Sequence, residues 1–236
     1  GYKLVKGWGP ERHVYFTAVF SKKLKNLRIM QDKKPVIYNT SRFRSCYEAW
    51  GKNLMACISF AAKEGEEVIV KTSVSAVSTA GATLNLQELN GMTFDALREK
   101  GVGLWEKELS KYQIEAQPEV KEAFYTAAYR AALHPFVFQD ADGQFRGLDK
   151  NIEKAEGFTN YTVFSLWDTY RNVHQLLTLV YPERQLQMVR SMLDMYREHG
   201  WLPKWELYGR ETLTMEGDPS IPVIVDTWLK GLRDFD

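Results

Sequence analysis

Two cysteines in 236 residues, Cys46 and Cys57, are too few for the disulfide framework of a small secreted domain. Four histidines, His13, His134, His174 and His199, share no metal-ligand spacing and have no obvious serine or cysteine partner. Charge of one sign is missing as well. With 31 basic and 30 acidic residues the net charge is +1, so no global field recruits nucleic acid or an anionic membrane. No apolar run approaches the length of a membrane span, and no signal-peptide pattern opens the chain. It begins GYKLVKGWGPERHVYFTAVF, without Met and almost at once in a strand pattern, so the start is expected to be internal. What the chain has in quantity is aromatic surface: seven Trp, 12 Tyr and 12 Phe, which favour ring-lined grooves.

Residues 12–20 (RHVYFTAVF) are β-branched and aromatic and read as a strand. KKLKNL (22–27) and QDKKP (31–35) read as basic, turn-like connections. Strands continue at 36–39, 43–50, 53–62 and 66–78, with turns at Gly51-Lys52 and Lys63-Glu64-Gly65. A two-residue turn at Gly51-Lys52 sets Cys46 opposite Cys57, within range of a cross-strand disulfide. Two thiols acting as small apolar residues is the simpler reading. Short strands with tight turns predict an antiparallel sandwich or meander over 1–78.

Near Gly81 the period changes. Residues 78–90 read as a loop or short helix, and Thr93 opens a helical run through 114, giving a helical linker over 79–117. Pro118 begins an Ala-rich helix. Asp140-Ala141-Asp142-Gly143 is a turn by residue type, with the start of a calcium-loop pattern but no bidentate Glu at the required distance. Helices follow from Thr162 to about Val180, from Pro182 at N1 to a C′ Gly200, and from about Ile221 to Lys230 behind an N-cap Asp218. The fold class is α+β multidomain, with helical hairpins filling 118–236.

Two aromatic-acid pairs, Trp167-Asp168 and Trp205-Glu206, fall at junctions, and Glu211, Glu216 and Asp218 follow at once. An indole beside a carboxylate suits a sugar: the ring meets C–H groups and the carboxylate accepts hydroxyl protons. The plain alternative makes the tryptophans core and the acids caps or solvated face. Arg171, one turn beyond Asp168, is positioned to orient its carboxylate, or is a simple surface pair.

GFTNYTVFSLWDTYR (157–171), with HPFVFQDADGQFRG (134–147) before it and WELYGRET (205–212) after it, resembles the catalytic domain of glycoside hydrolase family 92. The resemblance runs from about Pro118 to Asp236, with a weaker one to the second half of that family's N-terminal β-sandwich before it. It implies a central fragment of a calcium-dependent, inverting exo-α-mannosidase. By this resemblance, 118–236 opens an (α/α)6 barrel that is incomplete here. The implied substrate is the terminal, α-1,2-linked mannose of a glycan, and the implied location is secreted or periplasmic. By the resemblance Asp168 binds hydroxyls of the terminal mannose and Trp167 shapes the pocket beside it; Arg171, Trp205, Glu206, Glu211 and Asp218 join them as candidate substrate-binding residues from their spacing and their place on the connections. The general acid, the general base and most calcium ligands are expected beyond Asp236, in the remainder of the barrel. Many relatives carry a histidine in the stretch matching MEGDPS (215–220), which this sequence lacks, so linkage specificity stays open. A non-catalytic glycan-binding protein and an (α/α)6 glycosidase or phosphorylase of another specificity are the alternatives. Fold alone does not choose among them.

Overall fold

A computed structural model describes residues 1–9, 11–36 and 49–236. The chain opens with β1 (Tyr2–Val5), β2 (Arg12–Phe20), β3 (Leu24–Gln31), β4 (Lys34–Pro35), β5 (Leu54–Phe60) and β6 (Val70–Ser75). Then come α1 (Thr79–Asn85), a 3-10 turn at Leu86–Leu89, α2 (Phe94–Leu109) and α3 (Pro118–Ala131). Short strands follow: β7 (Phe136–Val137), β8 (Gln144–Arg146), β9 (Ile152–Lys154), β10 (Tyr161–Thr162) and β11 (Phe164–Ser165). The chain closes with α4 (Leu166–Thr169), α5 (Val173–Val180), α6 (Pro182–His199), β12 (Trp205–Glu206) and α7 (Ser220–Leu229). The result is a mixed helical and strand architecture whose paired strands are antiparallel.

Compact units form from residues 18–71, and from residues 1–17 together with 72–236. In the smaller unit the sheet order is β4-β3-β5. The basic segment 22–27, read as a connection, instead enters β3 and pairs Leu27 with Ile58 and Arg28 with Cys57. Lys23, Lys25 and Asn26 are exposed and Lys22 pairs with Glu66, so the charges stay in water or paired while the backbone joins the ladder. Asp32 and Lys33 both have positive φ (49° and 64°), the geometry of a two-residue hairpin turn, and they return the chain to β4. The strands expected at 36–39 and 43–50 fall largely outside the described residues, as does Cys46 and therefore its pairing with Cys57.

In the larger unit β1-β2-β6 form one sheet, with Tyr2 opposite Tyr15 and Leu4 opposite His13. Ser78 caps α1 by accepting the Gly81 amide at 2.9 Å, and Thr93 caps α2 from Ala96. Gly101 and Gly103 stay helical. The core gathers Phe164, Leu166, Leu177, Tyr181, Met188, Met192 and Val223 from β11, α4, α5, α6 and α7. Pro182 at the first turn and Gly200 at φ 80° bound α6 as the sequence leads one to expect.

Two expectations need correction. The helix read over Thr162 to Val180 is broken into β10, β11, the single turn α4 and then α5, because Val163 turns left-handed at φ 63°. And 118–236 is not helical hairpins throughout, since three two-stranded ladders, β7–β10, β8–β9 and β11–β12, lie between the helices. The Asp140–Gly143 segment is a turn: the Asp140 carboxylate is buried, accepting from Ser75 and Asn85 at 2.7 Å each, and Asp142 accepts from the Gln144 amide.

Candidate functional site

The β11–β12 ladder is what brings the two aromatic-acid pairs together. Phe164 stands opposite Glu206 and Ser165 opposite Trp205. The Ser165 hydroxyl donates to the Asp168 carboxylate, so Trp205 lies across from the residue that holds Asp168. Asp168 is exposed and Trp167 half-buried, both on α4. Arg171 does not orient Asp168: among the described residues no ion pair joins them. Its guanidinium instead sits 5.7 Å from the Trp167 ring centroid and 5.5 Å from that of Tyr170, the outer reach of a cation–π contact.

One residue escaped the sequence reading. Trp8, 54% exposed, packs its ring on Trp205 with centroids 4.5 Å apart and planes tilted by 59°. Arg12 lies 3.9 Å over the Tyr208 ring, and Glu11 reaches Arg210 at 3.3 Å. The chain's first residues therefore pack against the connection that carries Trp205. The available signal was an indole between two glycines, Gly7-Trp8-Gly9, where a turn presents a ring.

Glu206 is where the structure departs most from expectation. It is 0% exposed. Its Oε1 accepts from the Gly209 amide at 2.6 Å and the Thr162 hydroxyl at 2.9 Å, and its Oε2 accepts from the Val163 amide at 2.9 Å. Thr162 Oγ1 in turn accepts from the Tyr208 amide at 2.8 Å. Those donors favour the ionised carboxylate, while burial pushes it the other way, up to about 7. Both Glu206 oxygens are thus engaged by donors of the protein itself. The carboxylate holds backbone that L-residues rarely adopt: Val163 at φ 63° and Tyr208 at φ 54°. Gly209, at φ 71°, is required on two counts, because a Cβ there would lie 2.6 Å from the Arg146 carbonyl. Lys150 donates to the Gly209 carbonyl at 2.6 Å, and burial, with Arg210 nearby, lowers its pKa.

Glu211 is likewise an internal clamp. Its carboxylate accepts the Lys204 amide at 2.8 Å, the Trp205 amide at 3.1 Å and the Leu213 amide at 2.9 Å, steadying Leu213 at φ 54°. Asp218 is exposed and pairs with Lys204 at 3.7 Å. It is not the N-cap, since α7 starts at Ser220 with Pro219 in that position and no side-chain cap. Glu216 is exposed. Trp167, Asp168, Arg171 and Trp205 thus remain at one junction, with Glu206 and Glu211 acting beneath it. Among the described residues no three His, Cys, Asp or Glu side chains converge as a metal ion needs.

An exposed carboxylate next to Trp167 in the chain, with Trp205 across the ladder from the serine that holds it, has the chemistry of a carbohydrate-active protein. The family model for the glycosyl hydrolase family 92 catalytic domain matches residues 81–236. The chain belongs to glycosyl hydrolase family 92. It is 65% identical to the family GH92 α-mannosidase BT3965 from Bacteroides thetaiotaomicron, with a TM-score of 0.95, covering 100% of this chain and 32% of that one. BT3965 in complex with mannoimidazole gives the same identity and TM-score, with 31% of its chain covered. The family GH92 inverting mannosidase BT2199 from Bacteroides thetaiotaomicron VPI-5482 shares the fold alone, at 24% identity and a TM-score of 0.82, over 98% of this chain and 31% of that one. No curated protein sequence matches. The chain spans about a third of the length of these solved structures.

Proposed function

We propose that this chain is a central part of an exo-acting α-mannosidase, and that the α4 junction meets the terminal mannose. The observation that carries this reading is the 65% identity over the whole chain to the family 92 α-mannosidase BT3965, which has also been solved in complex with mannoimidazole. In this reading the Asp168 carboxylate accepts hydrogen bonds from sugar hydroxyls, Trp167 walls the pocket beside it, and the Trp8–Trp205 pair offers rings to C–H faces. Glu206 and Glu211 act indirectly, by fixing the backbone of β12 and the turn after it.

Hydrolysis with inversion needs an acid and a base about 6.5–9.5 Å apart, with room for water between them. We assign both, and the ligands of a calcium ion, to parts of the enzyme outside this chain. There α7 and its neighbours would continue into an (α/α)6 barrel, and residues 1–78 would complete a β-sandwich. Cleavage of α-1,2-linked mannose from glycans and a secreted or periplasmic location complete the proposal.

The test is Asp168→Ala in the full-length enzyme, assayed on an aryl α-mannoside. Hydrogen bonds to a charged group contribute roughly 1.5–3 kcal/mol, so kcat/KM should fall by about one to two orders of magnitude with little change in thermal stability. A variant with near-normal kcat/KM, or one that loses stability in step with activity, ends the sugar-binding role of Asp168.

A further inference from the structure

The sequence alone offers His174 no partner; the fold gives it two. It is 1% exposed, on α5, between Thr169 of α4 and Gln185 of α6. Its Nε2 lies 3.0 Å from Thr169 Oγ1 and its Nδ1 3.0 Å from Gln185 Oε1. Gln185, 0% exposed, donates through Nε2 to Thr227 Oγ1 of α7 at 3.0 Å. Thr227, also 0% exposed, donates to the Val223 carbonyl at 2.7 Å. A polar thread therefore crosses four helices through an otherwise apolar core.

Proton bookkeeping gives the thread a direction. A carbonyl only accepts, so the Thr227 hydroxyl spends its proton on Val223. Thr227 Oγ1 must then accept from the Gln185 amide nitrogen, which turns the Gln185 oxygen toward His174. An amide oxygen cannot donate, so Nδ1 carries the ring proton. Burial lowers the His174 pKa, which keeps the imidazole neutral. Nε2 is then a bare acceptor at 3.0 Å from Thr169 Oγ1, and although the Ser165 carbonyl lies 3.2 Å from the same hydroxyl, its one proton goes to Nε2, because two lone pairs would otherwise face each other there.

Thr169 adjoins Asp168 and ends a helix of four residues. A single turn does not hold itself, because nucleation costs more than one turn's hydrogen bonds return. Side-chain anchors must supply the difference: Leu166 in the core, Ser165 on Asp168, and Thr169 on His174. We propose that His174, held by Gln185 as the Nδ1–H tautomer, is a positioning residue that fixes the Thr169 hydroxyl and through it the turn presenting Asp168. The inference rests on Asp168 meeting the sugar, as proposed above.

A double-mutant cycle in the full-length enzyme tests it. Thr169→Val keeps the shape and removes the donor. It should lower kcat/KM on an aryl α-mannoside about tenfold, Thr169→Ser should restore most of that, and in an Asp168→Ala background Thr169→Val should cost almost nothing further. Equal losses in both backgrounds mean a merely structural role and overturn the inference. If Asp168→Ala alone leaves kcat/KM near wild type, the sugar-binding reading fails first and takes this inference with it. Neutron diffraction of the wild-type enzyme reads the ring directly and requires no variant to fold. A deuteron on Nδ1 supports the assignment, and one on Nε2 alone overturns it.

Discussion

Removing Glu206 separates two accounts of this carboxylate that its sequence position alone could not. In Glu206→Ala, the Gly209 and Val163 amides and the Thr162 hydroxyl lose their acceptor inside the protein. Leaving one buried donor unsatisfied costs about 1–3 kcal/mol. The three losses overlap, because the freed loop relaxes and releases strain at Val163 and Tyr208. A local destabilisation of about 3–5 kcal/mol is a reasonable total, the range for breaking a buried charged contact from one side. Glu206→Gln should rescue little, since an amide nitrogen then faces the Val163 or Gly209 N–H, donor against donor. Hydrogen exchange of the full-length enzyme, read on peptides covering 160–165 and 205–213, is the suitable assay because it reports local opening. The expected change is a loss of protection by roughly two to four orders of magnitude, at 1.36 kcal/mol per decade. Unchanged protection together with a collapse of kcat/KM would refute the reasoning and return Glu206 to the substrate.

Glu198 offers a pH test. Burial raises its carboxyl from 4.5 to about 7, with only the Leu148 amide on Oε2 at 2.7 Å to favour the charge. A raised folded-state pKa means stability fully present below 4.5 and lost as pH climbs through about 7. Glu198→Gln should flatten that part of the stability–pH curve, and an unchanged curve counts against it. Trp8→Ala removes an indole pair contributing about 0.5–1.5 kcal/mol. In the full-length enzyme it should raise KM several-fold while leaving kcat nearly intact, and an unaltered KM removes Trp8 from the substrate surface. For the proposed calcium ion, chelation of the full-length enzyme should abolish turnover and added calcium should restore it. Activity that survives exhaustive chelation overturns that proposal.

Where local chemistry set the outcome, the sequence could be read. Pro182 and Gly200 bound α6 because a missing N–H suits the first turn and a missing Cβ suits the left-handed cap. Thr93, read as opening a helix, caps α2 through its own hydroxyl. The β2 strand, Arg12–Phe20, followed from β-branched and aromatic residues alone. Reading failed where a distant group decided. Nothing within 157–171 says that Val163 turns left-handed, because the carboxylate that holds it there is 43 residues away. The lysines of 22–27 hide a strand because propensity counts them against one, while exposed or ion-paired side chains leave the backbone free to pair.

The same division explains the site. A tryptophan followed by an acid was visible twice, and both pairs do arrive at one ladder. Pattern could not say that the two acids take opposite roles. Asp168 sits on a solvent-facing turn whose nearest donor is a neighbouring serine, so its carboxylate is open to a ligand. Glu206 sits one ladder rung inward, opposite Phe164, where every contact it accepts comes from the protein. Along a strand successive side chains face opposite sides, so Trp205 can turn its ring outward to Trp8 only while Glu206 turns its carboxylate in. The buried acid is thus the counterpart of the half-buried indole, and the left-handed backbone it holds at Val163 is what breaks the helix and leaves α4 as a separate turn. His174 then anchors that turn from the other side.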